Sequence, residues 1–149
     1  MFPVNKILCP LDFSENSREA LDNAIEMARQ LSAKLILAQV ITRIPVVPTP
    51  SHPSEFDISS YREMLKDTAN KNMDSIVKDK IPSGVEFEKI ISSGDPAQEI
   101  DKIAQNEDVD LLVISTHGHS GLKHLIFGSV AEKIIRHTPC PVLTIKSMK

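Results

Sequence analysis

The 149-residue sequence predicts an α/β protein, a five-stranded parallel sheet with helices on both faces. Three observations predict it. Short apolar runs alternate with segments of helical periodicity along the whole chain, an order that parallel strands and right-handed crossovers produce. The runs at 34–41 and 110–115 are apolar on both of their faces, as strands covered by helices on two sides are. The run at 110–115 opens into a glycine- and histidine-bearing stretch, Ser115 to Ser129, that leads to a helix, and ligands of open α/β sheets bind outside the carboxyl ends of strands.

Val4 to Cys9 is too short for a stable helix and is read as a buried strand stopped by Pro10. Ala20, Leu21, Ala24, Ile25, Ala28 and Leu31 then recur at helical spacing, with Ser14 or Ser17 as the cap. Lys34 to Ile41 is the second strand. Residues 42 to 58 carry Pro45, Pro48, Pro50 and Pro53, which exclude regular structure. The PxxP spacing within them is that of a proline-rich connector as well as that of an SH3-type ligand. Tyr61, Leu65, Ala69, Met73 and Ile76 mark a long second helix from Ser59 to about Lys80, ended by Pro82 and Gly84. Val85 to Ile91 is more polar than the other strands, which fits the edge of the sheet. Asp95 as N-cap, Pro96 in the first turn and Gln98 as partner in a capping box open the third helix. The fourth strand is Asp110 to Ser115. Val130, Ala131, Ile134 and Ile135 form the inner stripe of the last helix, with Lys133, Arg136 and His137 toward its negative end. Pro139 and Pro141 flank Cys140 and lead into the fifth strand, Val142 to Ile145.

Composition narrows the function classes. The chain is 41 % hydrophobic and 25 % charged, with no apolar run near the roughly 18 residues of a membrane span. One domain, 1–149, and a cytoplasmic location are the expectation, since no basic-then-apolar leader is visible at the start. A net charge of −3 and scattered lysines argue against sequence-independent binding of nucleic acid. Cys9 and Cys140 are read as buried thiols rather than a disulfide.

Ser115 to Ser129 holds three of the five glycines and three of the five histidines. Gly118 and Gly121 permit positive φ and close backbone approach, and Gly128-Ser129 offers the free N–H groups of a helix start, which suit a phosphate. His119 is a candidate hydrogen-bond donor toward phosphate. His117, His119 and His124 do not make a structural zinc set, because both cysteines are far away in sequence. Asp12 follows a buried strand, where a carboxylate either braces a helix start or contacts a ribose or base. A phosphoacceptor role is disfavoured because Ile7-Leu-Cys-Pro-Leu11 supplies no acidic partners for a metal.

These motifs resemble the universal stress protein family. Its nucleotide-binding members share Gly-x-x-Gly, nine residues, and Gly-Ser/Thr after the fourth strand. Gly118, His119 to Phe127, and Gly128-Ser129 match, while Ser115 stands at the first glycine. Pro10-Leu-Asp12-Phe-Ser14, Gly94-Asp-Pro96 and Pro139-Cys-Pro-Val142 are also similar, so the resemblance covers essentially the whole chain. It implies a Rossmann-like fold of the adenine nucleotide alpha hydrolase type, strand order 3-2-1-4-5, with ATP or another adenine nucleotide at the switch point. By that resemblance Pro10 and Asp12 lie against the adenosine and the main chain of Val40 meets the adenine. Ser115, Gly118, His119, Gly121, Gly128, Ser129 and Val130 wrap ribose and phosphates, and any Mg²⁺ or Mn²⁺ is carried by the phosphates.

The chain has no Gly-Lys-Ser/Thr P-loop, no Ser-Gly-Gly loop after the first strand and no acidic residue between Ser115 and Ser129. His117-Gly-His119 has the form of a nucleotidylyl transferase element but follows the fourth strand rather than opening the first helix. The expected role is therefore a regulatory module that holds a nucleotide, with slow ATP hydrolysis at most. A nucleotide-independent protein-interaction module of the same fold is the alternative. Val142, Leu143, Thr144 and Ile145 form an apolar edge, a template for another chain, and the resemblance implies a homodimer through it.

Overall fold

The computed structural model describes residues 3–42, 58–117 and 127–147. In chain order they form β1 (Lys6–Pro10), α1 (Glu15–Leu31), β2 (Lys34–Thr42), α2 (Ile58–Lys80), β3 (Phe87–Gly94), α3 (Pro96–Asn106), β4 (Leu111–Ser115), α4 (Ser129–His137) and β5 (Val142–Ile145). The strands make one parallel sheet in the order β3-β2-β1-β4-β5, as expected.

Alternation along the strands divides the core into two layers. Ile7, Cys9, Leu35, Leu37 and Val113 face α1 and α2, where Leu21, Ile25, Met73 and Ile76 meet them. Leu8, Ile36, Ala38, Leu112 and Ile114 face α3 and α4, against Ile100, Ile103 and Ile134. Ten of the largest of these side chains are completely buried, and at about 1.5–3 kcal/mol each this two-sided burial dominates the folding energy.

Local chemistry sets the element ends. Ser14, not Ser17, caps α1: its Oγ accepts from Ser17 N at 3.2 Å, while the Ser17 hydroxyl donates back to Ser14 O. Asp95 caps α3 by accepting from Gln98 N at 3.1 Å, the forward half of the expected capping box, and Pro96 is its first residue. Asp110 closes the lower edge of the sheet. Its Oδ2 accepts from both Asn5 N (2.8 Å) and Lys6 N (2.9 Å), fixing the start of β1 against the start of β4.

β3 differs from the sequence expectation. It starts two residues later and ends three later than Val85–Ile91, because Val85 N turns back to Pro82 O and pairing to β2 begins only when Leu35 N bonds Glu86 O. Pairing then continues to Thr42↔Gly94. The main chain of β2 extends β3 through Ser92, Ser93 and Gly94, two small polar residues and a glycine that carry no strand signal.

Candidate functional site

A cavity of about 320 Å³ opens at the carboxyl ends of β1, β2 and β4. Its position follows from connectivity: β1 leads to α1 on one face of the sheet and β4 to α4 on the other, so a crevice forms where the two connections diverge. Ala38, Ile100, Ile114, Ala131 and Ile134 form an apolar floor on the α3/α4 side, and two alanines among them leave the room. Asp12, Thr42, Ser115, Thr116 and Ser129 add polar atoms to the walls.

The main chain of Val40 contributes too. Lys34 N bonds Asn5 O and Leu11 N bonds Ala38 O, so the even-numbered residues of β2 turn their peptide groups toward β1. β1 ends at Pro10, opposite Ala38. The N–H and C=O of Val40, two residues on, therefore face the space that β1 has left, on the wall of the cavity.

Three helices begin beside this cavity, and they differ in how their first N–H groups are satisfied. Ser14 caps α1 and Asp95 caps α3. α4 starts from Gly128, and among the described residues no side chain caps it. The Gly128 N–H donates to Thr116 O at 2.6 Å, which draws the helix start against the end of β4. Ser129, Val130 and Ala131, the first turn of α4, line the cavity, so their N–H groups and the positive end of the helix face an opening suited to an anion.

Asp12 sits on the opposite wall. Its Oδ1 accepts from Ser14 N at 3.0 Å and from Ser14 Oγ at 2.6 Å, the same hydroxyl that caps α1. Phe13 between them has φ 62°, a left-handed conformation that is strained for a bulky side chain. The turn that presents Asp12 is thus held by the cap and by the half-buried Phe13 ring packed on the α1 layer.

At the end of β4 the Ser115 hydroxyl donates to His117 O at 3.0 Å, and the Thr116 hydroxyl lies 3.0 Å from His117 Nδ1. Thr116 is 5 % exposed, and its N–H donates to Ile145 O on β5. The serine side chain at this corner serves the loop's own backbone. Cys9, adjacent to Pro10, is fully buried, and burial pushes its thiol up to about 12, so it stays protonated and acts as a packing residue. Both cysteines are free thiols, Cys140 half-buried.

Of the residues expected from sequence, Pro10, Asp12, Val40, Ser115, Gly128, Ser129 and Val130 all line this one cavity. Gly118, His119 and Gly121 lie outside the described residues, as do His124 and the proline-rich segment from 43 to 57. The sequence reading missed Thr116, Thr42 and the α3 wall of Pro96 and Ile100. Thr116 was within the stretch singled out, and its place between two residues already chosen was the available signal. Ile100 carried none, since it belongs to an apolar helical stripe indistinguishable from core. Among the described residues no group of three or more His, Cys, Asp or Glu is placed to hold a metal, and no helix is long and apolar enough to cross a membrane.

Comparison with known proteins agrees with this architecture. Residues 3–146 match the model of the universal stress protein family. Universal stress protein MJ0531 of Methanocaldococcus jannaschii is 35 % identical over 144 residues, covering 97 % of this chain and 83 % of its own. Among solved structures, that of M. jannaschii MJ0577 superimposes with a TM-score of 0.85 at 30 % identity, over 99 % of both chains. More distant structures share the fold at 21 % identity: a universal stress protein in complex with cAMP (TM-score 0.62, 97 % and 98 % covered) and one from Arabidopsis thaliana with AMP bound (0.59, 95 % and 91 %). The five-stranded sheet, its order and these matches along nearly the whole sequence make this chain a member of the universal stress protein family.

Proposed function

We propose that this protein is an adenine-nucleotide-binding regulatory module with ATP as its ligand. The observation that carries the reading is the uncapped start of α4. Of the three helices that begin at the cavity, it alone has no side-chain cap among the described residues, and its first turn lines the wall. A phosphate accepts those N–H groups at no cost to the fold. The nucleoside half is supported from the other side: the Val40 peptide supplies one donor and one acceptor, the pair an adenine edge requires, and the apolar floor takes the ring. Asp12 is the contact to ribose, and Gly118, His119 and Gly121 complete the phosphate wrap with Ser115. Two relatives of the same fold hold AMP and cAMP. Mg²⁺ or Mn²⁺ enters on the phosphates.

The protein acts as one cytoplasmic domain, 1–149, and pairs as a homodimer along β5. Among the described residues that strand bonds only β4, and it exposes Leu143. The decisive experiment is denaturation of freshly purified protein with identification of the released small molecules, followed by calorimetric titration with ATP. An adenine nucleotide in the first, or a heat of binding in the second, is the expected result. Absence of both overturns the reading and favours a nucleotide-independent interaction module.

A further inference from the structure

β1 is the middle strand of the sheet, and it stops at Pro10 opposite Ala38 while β2 runs on to Thr42. Beyond Pro10 the chain turns away toward α1. A slot one strand wide is left between β2 and β4, about 9.6 Å across by two interstrand spacings. The alternation that turns the Val40 peptide into this slot turns the Thr42 peptide there as well, and both residues line the cavity. Among the described residues neither has a backbone partner on that side. One such peptide satisfies a purine edge. The second, about 6.6 Å further on, repeats the donor and acceptor at the spacing of a strand, and a nucleotide held at Val40 leaves it unused.

The surroundings suit the end of an extended chain. Even-numbered side chains of β2 face α3 and α4, so a residue paired with Val40 turns its own side chain onto the apolar floor of Ala38, Ile100, Ile114 and Ala131. Leu8 aligns Ile36 with Leu112, which puts Val40 and Thr116 at one level. Thr116 O holds the Gly128 N–H at 2.6 Å, so the first turn of α4 begins at that level too.

We propose that the slot also takes the free carboxyl terminus of a peptide whose last residue is aliphatic. Pro10 and Leu11 close the slot below, so the terminus enters first from the open end and the peptide runs antiparallel to β2. Its main chain pairs with Val40 and Thr42, its last side chain fills the floor, and its carboxylate meets the N–H groups of α4. Asp12 on the opposite wall disfavours an acidic last residue. Peptide and nucleotide then exclude each other, and a nucleotide arriving in the cavity releases a bound protein tail.

The test follows the anisotropy of a labelled hexapeptide of alternating serine and threonine ending in leucine, with a free carboxylate, titrated with the full chain. Calorimetry measures ATP binding in parallel. Saturable binding is expected, weakened at least about tenfold when the terminus is amidated or the leucine is replaced by aspartate. Thr42→Pro removes one N–H that faces the slot, at a strand end where proline is tolerated, and should weaken the peptide about fivefold, with melting temperature as the check on folding. No binding, equal binding of the amidated peptide, or full affinity in a folded Thr42→Pro overturns this proposal. So does peptide that saturating ATP fails to displace from a protein that binds ATP. Carboxylate-dependent peptide binding by a protein that binds no ATP supports it and overturns the nucleotide reading instead.

Discussion

Asp12→Ala separates the two roles that its position allows. The carboxylate holds Ser14 through two bonds at Oδ1, of 3.0 and 2.6 Å, and Ser14 Oγ in turn holds Ser17 N at 3.2 Å. Removing it loosens the cap of α1. Bonds to a charged acceptor contribute about 1.5–3 kcal/mol when shielded, and Asp12 is exposed, so a loss of about 1–2 kcal/mol is expected, similar to deletion of an N-cap. If the carboxylate also accepts a ribose hydroxyl, the same substitution weakens nucleotide binding by roughly 10- to 100-fold. Asp12→Asn keeps an oxygen for Ser14 but loses the charge. It should fold nearly as stably as the parent and bind several-fold more weakly, since a neutral bond is about half as strong. Urea denaturation gives the first quantity and calorimetric titration the second. Unchanged affinity in Asp12→Ala, alongside lower stability, would reduce Asp12 to a helix brace and refute the nucleoside half of the site.

Three further substitutions test other parts of the argument. Gly128→Asp places a carboxylate cap on α4; the φ of −67° and ψ of 158° there suit any residue, so stability should hold within a few tenths of a kcal/mol while ATP affinity falls at least about tenfold from charge repulsion. Parent-like titration curves would discount the α4 start as the phosphate seat. Burial holds the Asp101 carboxyl above its ordinary range, with nearby His137 opposing, and among the described residues its buried Oδ1 has no hydrogen-bond partner. The folded state then binds more protons than the unfolded one between the ordinary and the raised value, so stability falls as pH rises through that window. Asp101→Asn should melt above the parent at neutral pH, with the gap closing in acid; a lower melting temperature at neutral pH refutes this. If the proposed pairing along β5 forms, the parent should have a dimeric mass by light scattering at micromolar concentration and Leu143→Lys a monomeric one; a dimeric mass retained in Leu143→Lys would exclude β5 as the interface.

The fold was legible because the β2 and β4 runs and the stripes of α1, α3 and α4 have one reading each. The end of β3 was not, because Ser92 to Gly94 are held as strand by pairing to β2, joined by the Ser93 hydroxyl on Ile41 O, and their composition has no strand pattern. The choice between Ser14 and Ser17 likewise depended on which hydroxyl faces the first turn. At the site, residues with a chemical signature were readable: Asp12 after its strand, Gly128-Ser129 before its helix. Residues that only shape space were not. Ile100 and Ala131 read as core because they are core, and they become a cavity floor only where β1 stops short of β2.

The two bonds that Asp110 makes to Asn5 and Lys6 have a consequence at the other end of the sheet. They align the start of β1 with the start of β4 from below, 104 and 105 positions apart in sequence. Strand register and the composition of the segment between β4 and α4 can then be varied separately. A graft that changes ligand preference should fold with an intact sheet in this protein, whereas the same graft in an Asp110→Ala background should not.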